Sequence, residues 1–223
     1  MGRAIVGFAA ALNFMALAAC GLRYEDPLCE LVTQGETDTL ERLLATGELD
    51  ARSERGHAAL TCAARSNRTE TLSALLRAGA DPTRLDAAGN RWTPLLHATH
   101  KHSAAAIALP LGAGANPNIG SPSLTPLIMA AGSGYADIVK LLLDYGADPH
   151  AETSDGVTVL GAAVGGAPDI DRFTVGECQT ETVRVLLEHA PDLRLQDRFW
   201  DRWAIRFARV GGCSDVLNLV GKG

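Results

Sequence analysis

Aromatic residues are scarce in this chain of 223 residues: five Phe, three Tyr and three Trp, 5% in all. The three Trp fall in two places, Trp92 and Trp200/Trp203. An excess of positive charge is also missing. Lys and Arg number 20 against 26 Asp and Glu, for a net charge of −6 and an isoelectric point near 5.5. Nucleic-acid binders usually carry a basic excess that displaces counterions from phosphate, so that class is set aside. The N-terminal apolar run, residues 4–19, is interrupted at Asn13. It falls short of the roughly 20 residues that a membrane span needs. Catalytic signatures are lacking too: no Gly-x-Ser-x-Gly, no phosphate loop, no His-Glu-x-x-His. What remains is 47% hydrophobic and 21% charged, an ordinary globular composition with material for one or two cored domains.

The start of the chain differs from the rest. Arg3 is the only charge before Arg23, and small residues close the apolar run. A short positive start, an apolar stretch and a small-residue end read as a secretory signal. The end, Leu17-Ala18-Ala19-Cys20-Gly21, resembles the lipobox of bacterial lipoproteins, which implies that Cys20 is lipidated and becomes the new N-terminus. Ordinary cleavage near Ala18 or Ala19 is the alternative. Residues 1–19 are therefore assigned to a signal peptide, 20–27 to a short tether and 28–223 to the folded domain, on the periplasmic side of a bacterial envelope. An exported chain meets an oxidising compartment, where disulfides persist. Cys29, Cys62, Cys178 and Cys213 then allow three pairings.

Self-similarity is the strongest feature. Gly79-Ala80-Asp81-Pro82 returns as Gly114-Ala115-Asn116-Pro117 and as Gly146-Ala147-Asp148-Pro149, at spacings of 35 and 32. A second phrase alternates with it: Thr93-Pro94-Leu95, Thr125-Pro126-Leu127 and Thr158-Val159-Leu160, at spacings of 32 and 33. Thr suits a helix N-cap with Pro at N1, and the glycines suit the left-handed turn that ends a second helix. Apolar residues recur at three- and four-residue spacing, as in Leu127, Ala130, Ala131, then Ile138, Val139, Leu141, Leu142. Fixed periods of this length belong to stacked repeats, in which no unit buries its apolar faces alone.

This pattern resembles the ankyrin repeat, and residues 123–156 carry it most fully. The resemblance implies an all-α ankyrin-repeat solenoid of about six helix–turn–helix units with β-turn fingers. The units fall at about 28–51, 52–82, 83–117, 118–149, 150–196 and 197–220, the first and last being caps. Several departures are visible. The family's His after Thr-Pro-Leu is replaced by Thr61, Leu96, Ile128 and Gly161, which predicts loss of its polar link to the neighbouring finger. Pro110 lies inside a second helix, where proline costs about 3 kcal/mol and bends the chain. The fifth unit carries an insertion within 165–176. Phe199-Trp200-Asp201-Arg202-Trp203 reads as the last finger, with Trp203 plugging the end of the core.

Repeat register also addresses the cysteines. Cys178 and Cys213 both take the inter-helix turn of adjacent units, which predicts a disulfide between them. Cys29 and Cys62 lie one register position apart in the first helices of units one and two, a second candidate pair. The clustered His97, His100 and His102 should diverge, and Asp169, Asp171 and Glu177 lack the ordered spacing of a calcium loop. No metal, cofactor or catalytic residue is expected. Ankyrin stacks bind through fingertips and the exposed ends of first helices, which implies a partner-binding set of Arg55, His57, Arg65, Arg84, Arg91, Trp92, His100 and Lys101. Arg and Trp are the residues most enriched at interface hot spots. The expected function is capture of another protein by the concave face at the envelope, with membrane contact only through the N-terminal lipid. A periplasmic immunity or inhibitor protein is the alternative; a metal-binding or enzymatic protein comes last.

Overall fold

The computed structural model describes residues 27–86, 91–121, 124–166 and 178–221. The N-terminal segment to residue 26 and most of the fifth unit's insertion lie outside them. Twelve helices follow one another among the described residues, with only isolated bridges between extended residues. They are α1 (Pro27–Gln34), α2 (Thr37–Ala45), α3 (Glu54–Arg65), α4 (Thr69–Arg77), α5 (Pro94–His100), α6 (Ala104–Gly112), α7 (Pro126–Gly132), α8 (Ala136–Asp144), α9 (Val159–Gly165), α10 (Thr180–His189), α11 (Phe199–Val210) and α12 (Ser214–Leu219).

Odd-numbered helices form one layer and even-numbered helices the other. Each helix packs on its own partner and on the next helix of its layer, in strict chain order. The molecule is an all-helical repeat solenoid. Its core runs as one strip between the layers, from Leu28 and Val32 through Leu95, Leu127 and Leu160 to Val216 and Leu217. None of the described helices is long and apolar enough to cross a membrane.

Local chemistry explains each unit. Thr93, Thr125 and Thr158 accept hydrogen bonds from the backbone N–H of Leu96, Ile128 and Gly161, closing the N-termini of α5, α7 and α9. Gly79, Gly114 and Gly146 take left-handed backbone at φ of +90°, +91° and +84°, which ends the second helices. The next acidic or amide residue fixes the following turn. Asp81, Asn116 and Asp148 each accept, through Oδ1, the backbone N–H two residues on, at 2.8–2.9 Å. The first helices α7 and α9 are buried from end to end, so only Ala, Gly and compact aliphatic side chains let their neighbours approach.

Units two and six differ from the pattern read from sequence. Helix α3 begins at Glu54, capped by Ser53 Oγ, so Arg55 and His57 stand on a helix rather than on a fingertip. Phe199–Trp203 is likewise the first part of α11 and not a finger. Helix α6 continues through Pro110 to Gly112, because the proline falls in its last turns, where the missing N–H removes a single bond.

Candidate partner-binding face

The candidate face of units two and three centres on the finger that precedes α5. The backbone N–H of Asp86 bonds to the carbonyl of Trp92 at 2.8 Å, and the N–H of Trp92 bonds to Asp86 Oδ1 at 3.1 Å. Asp86 Oδ2 in turn meets His97 Nε2 at 2.7 Å. Both side chains are buried, Asp86 at 7% and His97 at 6% exposure. The carboxylate therefore ties the finger to α5 and fixes where Trp92 lies. The indole ring rests over two imidazoles of that helix, with centroids 5.1 Å from His97 and 5.5 Å from His100. Burial lowers the pKa of His97, with the Asp86 hydrogen bond opposing it and the nearby Arg65 charge adding to it.

The same two units carry several cations. Arg55, Arg91 and Lys101 are exposed; Arg65 and Arg84 are half-buried. Over Glu54–Arg65 and 84–101 the carboxylates are Glu54 and Asp86. Asp86 is held by His97, and Glu54 pairs with Arg84, which keeps its carboxyl below the usual range. Arg91 takes left-handed backbone, φ +50°, uncommon for a side chain of that size and seen where a turn sets a neighbour's position. The arrangement offers a half-buried aromatic ring and exposed guanidinium and ammonium groups. Among the described residues no group of three or more His, Cys, Asp or Glu converges to hold a metal.

The sequence model of one protein family, Ankyrin repeats (3 copies), matches residues 28–120 and 96–197. The chain belongs to the ankyrin-repeat family. No curated protein matches the sequence. Proteins of ankyrin repeats bind other proteins in general, and this chain's helices carry the same two-layer order.

Within the ankyrin frame, some expected site residues move out of the surface. His57 is 6% exposed and turns Nε2 toward the carbonyl of Leu85, at 3.1 Å. It is a packing residue, because α3 starts one turn earlier than the other first helices. Burial holds its pKa below the ordinary value, against the Leu85 hydrogen bond. That bond also restores a polar link from a first helix to the next finger, four residues before the family position filled by Thr61. The expected loss of that link is thus incomplete. Thr153 of the fifth unit is buried, closing its own finger by accepting from Val157 N–H at 3.0 Å. Asn90, Ser123, Asp169, Asp171 and Glu177 lie outside the described residues. Of the eight partner-binding residues, the structure brings Arg65, Trp92 and His100 around α5, leaves Arg55, Arg91 and Lys101 outward, and engages Arg84.

Two residues missed at the level of sequence organise the ankyrin stack. Asp86 is the first; its signal was a carboxylate six residues before a Trp in sequence. Asp201 is the second. It is fully buried and accepts from Thr158 Oγ1 at 3.1 Å and from the N–H of Gln196 at 2.6 Å, joining units five and six.

The cysteines pair between neighbouring units. Cys29 and Cys62 lie with Cα atoms 5.6 Å apart and Cys178 and Cys213 at 5.1 Å, both as disulfides. Unit one is thereby joined to unit two, and unit five to unit six.

Proposed function

We propose that this ankyrin-repeat chain is an exported protein that captures another protein with the concave face of its second and third units, at the bacterial envelope. The observation that carries the reading is Trp92. Its backbone is held by Asp86 and its indole lies over His97 and His100 of α5, with Arg91 and Lys101 exposed, inside a chain whose overall charge is negative. Trp92 is half-buried over His97 and His100, which supports a ring fixed in place for contact and not packed wholly within the core. Aromatic plates ringed by Arg are the usual anchors of protein interfaces.

Export is supported by the N-terminal segment ending at Cys20 and by the paired positions of all four remaining cysteines. Such pairs persist where the medium is oxidising. The scaffold binds and performs no chemistry in this reading.

The test is crosslinked capture from a native envelope. Arg91→Glu with Trp92→Ala should abolish recovery of the partner while circular dichroism and melting temperature stay close to those of the parent. Arg55→Glu with Lys101→Glu, both on exposed positions, should weaken it. Undiminished capture by both variants would exclude this face.

A further inference from the structure

The last ankyrin unit begins with a helix unlike the short first helices of units three to five. Helices α5, α7 and α9 are short and mostly buried, whereas α11 runs for 12 residues and keeps one whole side in solvent. At about 100° per residue, three strips follow around it. Asp201, Ala204 and Ala208 face the stack and are buried. Arg202, Arg206 and Arg209 fall together and are exposed; with Ile205 and Val210 they line a shallow groove. The adjoining strip is apolar. Phe199 is 64% exposed and Val210 83%, and Trp203 and Phe207 stack on each other beside them at 3.9 Å.

Arginines supply this side of the helix with its charge, and Arg202 also pairs with the exposed Asp197 just ahead of the helix, at 3.5 Å. The helix's single carboxylate, Asp201, is turned wholly inward to Thr158 and Gln196. A strip of guanidiniums against a strip of Phe, Val and Trp is the make-up of a helix lying in a lipid–water interface, with the rings among the acyl ends and the cations at the headgroups. A polar end cap needs neither an exposed Phe nor an exposed Val. We propose that the outer side of α11 docks on an anionic lipid surface, giving the solenoid a membrane contact at the end opposite its N-terminal tether. The proposal does not depend on which protein the concave face captures.

The test uses the full chain carrying Trp92→Phe, so that Trp200 and Trp203 alone report. Vesicles of phosphatidylcholine with one-third phosphatidylglycerol, bearing brominated acyl chains that quench indole emission, are titrated against it. Quenching is expected at low salt and should fade at high salt. Arg202→Gln, Arg206→Gln and Arg209→Gln together should raise the lipid needed on the order of a hundredfold, from the attraction of each arginine to an anionic leaflet. The Lys versions of the same three should retain it. The apolar N-terminal stretch is common to every variant and cannot account for a difference among them. Absence of quenching, quenching as strong on phosphatidylcholine alone, or quenching unchanged in the Gln triple with its helical spectrum intact would each overturn the proposal.

Discussion

At the scale of single residues, polar groups decide the geometry although apolar ones supply the core. His97 and His57 are the pair to watch. Both are buried, and burial holds both pKa values below the ordinary imidazole range. The sign follows from linkage: the unfolded chain takes up protons near pH 6.5, where the folded chain resists them. Stability from these residues is full above about pH 6.5 and declines as the pH falls below it. Melting temperature should therefore drop between pH 7.5 and 5, and His57→Gln with His97→Gln should flatten that drop; a decline of the same slope in the double variant would show that other groups are responsible. Trp92, Arg91 and Lys101 could be picked out from sequence because the finger and the cap sit at fixed offsets from Thr93. His57 could not be placed, because its exposure depends on where α3 starts, and that is set by Ser53 and not by the repeat phrase. Asp201 was beyond reach: its partner Thr158 is 43 residues away.

At the scale of elements, α9 and α11 approach closely at Gly165. A methyl group on Gly165 would stand 2.8 Å from Ala204 Cβ and 2.9 Å from Ala204 Cα. No side chain can swing aside there, since the obstacle is the backbone and first carbon of the facing helix. Gly165→Ala should destabilise the chain by roughly 1–3 kcal/mol, with the loss read in a urea titration. Little or no loss would mean that α11 shifts freely on α9. Helix positions and caps were largely readable, since Thr-Pro-Leu and Gly-Ala-Asp mark both ends of a unit. The exceptions share a cause. Units two and six extend their first helix backwards over residues that elsewhere make a finger, and a periodic pattern gives no warning when one unit keeps the period but changes the element.

At the scale of the whole molecule, stability is a sum over neighbours, and the two end units have one neighbour each. The disulfides fall there, Cys29–Cys62 at one end and Cys178–Cys213 at the other. Closing a loop of 33 residues contributes about 3–4 kcal/mol in the chain-entropy account. Reduction should loosen the ends first: amide exchange should quicken in α1, α2, α11 and α12 while α5 to α8 keep their protection. Uniform quickening, or a chain whose mass does not change on reduction and alkylation, would contradict this.

The order of these cross-links has a biosynthetic consequence. The first thiol after Cys20 joins the second, and the third joins the fourth. If the chain is exported with Cys20 blocked by its proposed lipid, it would present the other four cysteines to a thiol oxidase in the order in which they pair, and vectorial oxidation would give the native isomer among the three without reshuffling. Such a protein can mature in cells that possess an oxidant but no disulfide isomerase.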